Sequence, residues 1–504
     1  MSGTTEHREV ERKFDAEPGT ALPDLVSVPG VARAGQPVVT RLEATYLDTT
    51  QLDLARHRVT LRRRTGGDDE GWHLKLPVGA DERRELREPL GESSTAPPAA
   101  LTDEVRALLR DRPLVPVAVL RTERTEHPLL DVEGGALAVL ADDLVQAEQP
   151  LGASVVVSTW REVEVELVAG DRDVLAAIGA LLVAGGLPAS ASSSKLARVL
   201  DVPPPPSASL PPDSAAALVV EHLRSQVDEL LARDRDVRHD SPDAVHKMRV
   251  ATRRLRSALA TFRPLFDRSV TDPVRDELRW LGAALGGARD AEVQAARLTA
   301  SLDQVPAELV LGPVRRRIAL ELRAQERAAA AVLADSLCDQ RYFALLDRLD
   351  ALVDDPPLTE AAPAAATDAV PALVGRAVRR VRRLARGTEP VGGDRDHQLH
   401  EVRKAAKRAR YAAEAAAPVG GRIAKRLAVR MEDLQEVLGE HQDAVTSQAV
   451  LRDLGVAAYA AGENGFTFGL LLGQEVAAAR EAEARYPKAL RRATRPRLLR
   501  WTAG

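Results

Sequence analysis

Residues 9–13 read EVERK and residues 160–167 read WREVEVEL. Set on β-strands, where successive side chains alternate between faces, Glu9, Glu11 and Lys13 share one face of the first segment. Glu162, Glu164 and Glu166 share one face of the second, with Val163, Val165 and Leu167 on the other. Rows of like charge repel, so two such carboxylate rows need a cation between them or open access to water. Hard divalent ions that favour oxygen ligands, Mg²⁺ or Mn²⁺, suit them.

Opposite charges come from neighbouring segments of the same texture. Arg62 and Arg64 share a face in VTLRRRTG, Lys75 lies in WHLKL between Leu74 and Leu76, and Arg121 and Arg124 flank RTER. These could grip phosphate oxygens, the arginines as bidentate forks and the lysine as a compact point charge. Asp143 in LADDLV adds a further candidate inward carboxylate, and Glu85 in ERRELRE another whose face is not assigned. Taken one at a time, such strands also fit the wet face of an open sheet. Several strands with charged faces of consistent sign fit that reading less well. Short alternating runs broken by Gly, Pro or Asp, with little helix between them, suggest an antiparallel sheet or barrel.

The texture changes after DVPPPPSASLPP, residues 201–212, which reads as a stiff spacer. Beyond it lie long Ala/Leu/Arg stretches at helical spacing, interrupted by a second proline-rich break over residues 354–371. The helical part repeats itself: HKMRVATRRLR at 246–256 matches HEVRKAAKRAR at 400–410, and LGGARDAEV from Leu285 matches LGEHQDAVT from Leu438. Two blocks at nearly one offset mark a duplicated helical unit, too long for a solenoid repeat. On a helical wheel His246, Arg249, Arg253 and Arg256 fall within about 80° of one another, opposite Met248, Ala251, Leu255 and Leu259. Arg254 flanks the stripe; the second copy offers His400, Arg403, Lys407 and Arg410, flanked by Lys404 and Arg408. Strips of cations attract polyanions, with affinity that falls steeply as salt rises.

Bulk composition narrows the function. With 504 residues, two or three domains are expected. Aromatics at 3% leave little for base stacking, which speaks against nucleic acid as the ligand. The lone Cys338 rules out an internal disulfide and any Cys-rich metal site. The start, MSGTTEHREVERKF, has no apolar segment, and no apolar run is long enough to span a bilayer, so a cytoplasmic location and no membrane partner are expected.

The ordered series EVERK at 9–13, YLDT at 46–49, LRRR at 61–64, HLK at 73–75, EVEVEL at 162–167 and SKLARVL at 194–200 resembles the CYTH, or triphosphate tunnel metalloenzyme, superfamily. The duplicated H-x-x-R-x-x-x-[RK]-R-x-R and L-G-x-x-x-D blocks resemble the CHAD domain that often follows it, with one departure: Arg289 of the first loop is Gln442 in the second. The resemblance implies an α+β multidomain chain, an eight-stranded antiparallel β-barrel followed by an all-α domain of two pseudo-symmetric helical bundles. The expected boundaries are 5–201 for the barrel, 202–212 for the linker and 213–495 for the helices, divided at about 213–353 and 372–495. It implies that Glu9, Glu11, Glu164 and Glu166 hold metal and serve catalysis, with Asp143 and Glu162 as further ligands. It also implies that Lys13, Arg62, Arg64, Lys75, Arg121, Arg124 and Lys195 bind phosphates. The expected activity is Mg²⁺- or Mn²⁺-dependent hydrolysis of inorganic tripolyphosphate, with the basic helices binding inorganic polyphosphate. A polyphosphate-binding protein without turnover, and an organic triphosphatase or adenylate cyclase, are the alternatives.

Overall fold

In the computed structural model, the described residues are 4–79, 81–91, 95–151, 154–200, 202, 210–387 and 394–502. Most of the expected linker lies outside them. The chain divides into two compact units, residues 1–205 and 206–504.

The first unit is built from β1 (Thr5–Ala16), β2 (Arg33–Ala34), β3 (Val38–Asp48), β4 (Thr60–Thr65), β5 (Gly71–Pro77), β6 (Glu82–Glu88), β7 (Val115–Leu130), β8 (Ala136–Leu151) and β9 (Ser154–Leu167). The strand order β7-β3-β4-β5-β6-β1-β9-β8 closes through a β7–β8 pairing, giving an eight-stranded antiparallel barrel; the two-residue β2 adds to β7. β1 pairs with β6 over Thr5–Val10 and with β9 over Glu11–Ala16.

Two sets of apolar side chains on this barrel point outward. Val163, Val165, Phe14 and Leu140 pack under Leu175, Ile178 and Leu182. These three lie on α4 (Arg172–Ala184), whose helix start is capped by the Asp171 carboxylate. Leu61, Trp72, Leu74 and Leu86 pack under Leu54, Leu101, Val105 and Leu109 of three short helices, α1 (Asp53–Arg56), α2 (Ala99–Glu104) and α3 (Arg106–Leu109), with their flanking residues. Strand alternation then leaves the charged positions inside. In YLDT, the buried Asp48 carboxylate accepts from the amides of Thr49, Leu54 and Ala55 at 2.7–2.9 Å, so this motif serves the α1 turn. Residues 188–190 hydrogen-bond to β1 at Lys13 and Asp15. They lead to α5 (Lys195–Val199), where Leu196 and Leu200 pack on Tyr46, Leu120, Val145 and Ala147.

The second unit contains α6 (Ala215–Arg238), α7 (Ala244–Thr261), α8 (Arg268–Asp303), α9 (Val314–Cys338), α10 (Gln340–Asp354), α11 (Ala366–Arg386), α12 (Asp394–Ala415), α13 (Ala417–Ala460), α14 (Phe466–Ala493) and α15 (Pro496–Leu499). α6 to α9 recur as α11 to α14, the helix of α13 proper starting after a non-helical Gly421. The far ends of both halves share a core of Leu302, Ile318 and Leu322 with Leu451, Leu454 and Phe468. The second half begins earlier than the expected residue 372. Pro371 is the sixth residue of α11, where its ring is buried and one helical amide hydrogen bond is given up. No helix among the described residues is long and apolar enough to cross a membrane.

Candidate functional site: a charged barrel interior and a basic helical groove

The barrel interior brings together Glu9, Glu11, Lys13, Arg62, Arg64, Lys75, Arg124, Glu164, Glu166 and Lys195. Its open space is only about 90 Å³, room for a few waters. The side chains fill the rest by pairing across the strands. Lys75 donates to Glu9 at 2.6 Å and lies 3.6 Å from Glu85. Lys13 bridges Glu11 at 3.0 Å and Glu164. Although burial pushes Glu164 up, Lys13, Lys195 and Arg124 hold its carboxyl well below the usual range.

Two groups of carboxylates behave differently. Asp143, Glu162 and Glu164 place ligand oxygens within 4.8 Å of one another, a set that could hold a metal ion. Lys195 already occupies that position, at 2.9, 2.7 and 2.8 Å from the three. Arg124 adds a bidentate pair to Asp143 at 2.8 and 2.7 Å. Glu11 and Glu166 are direct cross-strand partners, with Glu9 two residues along the same face. Here burial, Glu9 and Glu11 push Glu166 up to about 7, although 39% of its side chain is open to solvent. Glu166 is thus short of positive charge, whereas Glu9 and Glu11 on the same row have partners in Lys75 and Arg87 and in Lys13 and Arg83. On the basic side, burial, Arg62 and Arg124 push Arg64 down to about 9 although it pairs with Asp69, while Arg62 is held above its ordinary value, against burial, by Tyr46 and Glu85.

Arg121 is a correction. It stands three positions before Arg124, an odd spacing, so alternation puts them on opposite faces. Arg121 lies outside the barrel, paired with Glu43 at 2.9 Å and Glu148 at 2.5 Å. Replacing Arg124 with Ala should lower stability by about 3 kcal/mol by leaving Lys195 as the one remaining cation on buried Asp143. Arg121→Ala should leave the melting temperature unchanged, and equal losses would contradict this assignment of faces. Arg83 and Arg87 are interior residues absent from the sequence reading. Once Glu85 is known to point inward, where it meets Lys75, His73 and Arg62, the period of two places both beside it.

In the helical unit, Met248, Ala251, Leu255 and Leu259 of α7 are buried, and α7 packs against α12. This sets Arg249 and Arg253 close to Arg403 and Lys407. Gly286 and Gly439, the glycines of the two L-G blocks, let these side chains lie against the next helix: a Cβ on Gly439 would stand 3.1 Å from Arg403 Nη2. Arg249 pairs with Asp290 at 2.8 Å, and Asp443 stands in the matching place beside Arg403. The departure at Gln442 is locally compensated, since its Oε1 lies 2.8 Å from His400 Nδ1, while Arg289 stands near His246 in the other half. Arg256 and Arg408 continue the cationic strip, joined by Arg275, Arg279 and Arg380, which the sequence reading missed because they come from other helices.

Besides Arg249, three stripe or flank residues are not open cations. Arg254 and Arg410 both pair with Glu414, at 3.0 and 2.8 Å, and Arg410 also with Glu432. Lys404 pairs with Glu401 at 2.5 Å. The Glu414 that pairs with Arg410 stands four residues on along the same helix.

Residues 7–196 match the CYTH domain and residues 221–452 the CHAD domain. Two uncharacterized proteins of Mycobacterium tuberculosis, Rv2226 and MT2285, are each 41% identical over 506 residues, covering 96% of both chains. PptA from Streptomyces chartreusis superposes over 54% of this chain and 98% of its own, with 22% identity and a TM-score of 0.46. The CHAD domain from the plant Ricinus communis covers 56% of this chain and 94% of its own, with 26% identity and a TM-score of 0.43. A closed charged barrel followed by duplicated basic helices is the architecture these two domain matches require in this order, and the chain belongs to the CYTH–CHAD family, whose first domain is of the triphosphate-tunnel type.

Proposed function

We propose that the barrel hydrolyses inorganic tripolyphosphate with Mg²⁺ or Mn²⁺, and that the helical groove binds inorganic polyphosphate. The observation that carries the first part is the facing of a glutamate row, in which Glu166 is short of cations, by a row of lysines and arginines, in which Arg64 is crowded by like charges, inside one closed barrel. Either ligand alone would strand charges of one sign. A metal–triphosphate complex satisfies both, by exchanging the internal ion pairs for external ones.

Glu9, Glu11 and Glu166 would hold the metal, while Asp143, Glu162 and Glu164 seat Lys195. When bound, a hard divalent ion would supply neutralisation of phosphate oxygens and acidification of the attacking water. Lys13 and Lys75, released from their glutamates, would orient the phosphates. Arg62 and Arg64 would grip the chain as planar forks, and Arg83 and Arg87 would extend the row. Tyr46 is the aromatic among the described lining residues, and Arg62 donates to its hydroxyl at 3.3 Å. That leaves no stacking surface for a base, which favours an inorganic substrate over ATP.

Phosphate release from tripolyphosphate, long polyphosphate, ATP and thiamine triphosphate tests the reading. Metal-dependent release, fastest from tripolyphosphate, is the expected result. Release only from an organic triphosphate would move the activity to the alternative class, and none at all would leave a binding protein.

The groove has its own signature. Burial, Arg403, Arg253 and Arg249 push Lys407 down to about 7. A bound polyanion would restore its proton, so binding takes up a proton and weakens as pH rises from about 7 toward 10. Calorimetry at pH 8 in buffers of different ionisation enthalpy should show this uptake, absent in Lys407→Arg. Equal enthalpies across buffers for the native protein would contradict it.

A further inference from the structure

α11 carries Arg376, Arg379, Arg380, Arg382, Arg383 and Arg386 on its solvent side, all exposed. They line a shallow groove of about 610 Å³. None forms an ion pair with a carboxylate among the described residues. So dense a set of like charges on one helix is a cost to folding unless something offsets it.

The duplicated architecture supplies an internal comparison. α6 is the counterpart of α11, and their buried residues coincide: Val219 with Val370, Leu223 with Val374, Val227 with Val378, Leu230 with Val381. At the six arginine positions α6 carries Ser225, Asp228, Glu229, Leu231, Ala232 and Arg235. One arginine in six suffices for the same helix in the same packing role. The other five therefore do not serve the fold.

The face is continuous with the α7–α12 groove. Among the charges acting on Arg408, that of Arg380 is the strongest, and Arg408 in turn adjoins Arg256 and Arg275. The apolar side of α11 is buried, so it has nothing to insert into a lipid surface, and no aromatic residue lies on its arginine face to stack a base. What remains is a close-set row of forked cations, suited to a flexible chain with a charge at every repeat.

We infer that the α11 arginine face is a second, outer track for the same linear polyanion, engaged by chains that run beyond the α7–α12 groove. This rests on the reading of that groove as a polyphosphate site. The test compares the full chain with Arg376→Ser/Arg379→Gln/Arg382→Gln/Arg383→Ala, which spares Arg380 of the groove strip, and with the groove variant Arg249→Ala/Arg403→Ala/Lys407→Ala. The probes are tripolyphosphate, long-chain polyphosphate and a single-stranded RNA, each across a salt series. The α11 variant should bind long chains about tenfold more weakly and lose about 2–3 from the slope of log affinity against log salt. Its tripolyphosphate affinity should stay within about twofold, because a short anion does not reach the outer track. The four corresponding Arg→Lys changes keep the charge and should hold long-chain affinity within about threefold.

Long-chain affinity and salt slope unchanged in the α11 variant, while the groove variant loses both, would overturn the outer track and leave the groove reading intact. Long chains bound no better by the native protein than by the groove variant would instead remove the groove reading and the outer track with it. A loss confined to RNA would overturn the inference by giving the face to nucleic acid. A loss in the lysine variant as large as in the neutral one would overturn the electrostatic basis of the track.

Discussion

Glu9→Gln/Glu11→Gln should release phosphate from tripolyphosphate at least about 10³-fold more slowly than the native protein, a loss of roughly 4 kcal/mol of transition-state stabilisation. The glutamine amides keep the shape and one acceptor at each position but remove the negative charge that would hold the metal. The fold should tolerate the change. Lys75 keeps Glu85 at 3.6 Å, Lys13 keeps Glu164, and Arg83 and Arg87 remain at the edges of the row. Stopped turnover with an unchanged melting temperature is thus the expected pairing. Full activity in the variant would remove the acidic row of β1 from the chemistry.

The second large effect is on stability. Lys195 is 10% exposed, and the charges of Asp143, Glu164 and Glu162 raise the pKa of its ammonium against burial. Lys195→Met removes one cation from among three buried carboxylates, leaving Arg124 on Asp143 and Glu164 and Lys13 on Glu164. The expected cost is about 3–5 kcal/mol near neutral pH, the range for breaking one side of a buried pair. Its pH dependence has a definite sign. In the native protein burial opposes, but Lys195 and Arg124 hold Asp143 below its usual range. That stability is present above the unfolded carboxylate pKa and is lost as pH falls through the folded one. In the variant the carboxyls shift up instead, protonation relieves their repulsion, and the deficit narrows on acidification. Millimolar Mn²⁺ should also recover part of it, because the oxygens lie within 4.8 Å of one another. Thermal unfolding across pH, with and without Mn²⁺, measures both. A melting temperature equal to the native value at pH 7.5 would contradict the role given to Lys195.

Much of this was legible before any coordinates, for a physical reason. A strand's period of two turns EVERK and EVEVEL directly into side-chain faces, and the valines between the glutamates mark the opposite face as buried. The register of the two strands, which neither motif contains, then pairs Glu11 with Glu166. The same rule, applied loosely to RTER, put Arg121 beside Arg124, although a separation of three cannot share a face. Arg83 and Arg87 escaped because nothing local in ERRELRE says which side meets Lys75. In the helices, periodicity shows a cationic stripe but not what stands across from it. Arg275, Arg279 and Arg380 join only through tertiary packing. YLDT reads as part of a catalytic signature, yet its aspartate is spent on three backbone amides. The charge surplus on α11 was visible in RAVRRVRRLAR, but its meaning needed the alignment of α11 with α6 that the fold provides.

The central claim is that one closed barrel seats a divalent metal on Glu9, Glu11 and Glu166 opposite a triphosphate on Lys13, Arg62, Arg64 and Lys75. The most direct test is anomalous scattering from crystals grown with Mn²⁺ and a non-hydrolysable imido analogue of tripolyphosphate. A manganese peak against those three glutamates, with phosphate density along the basic row and Lys75 released from Glu9, is the expected result. Phosphate density with no metal on the acidic row, or a metal found only in place of Lys195 among Asp143, Glu162 and Glu164, would contradict it.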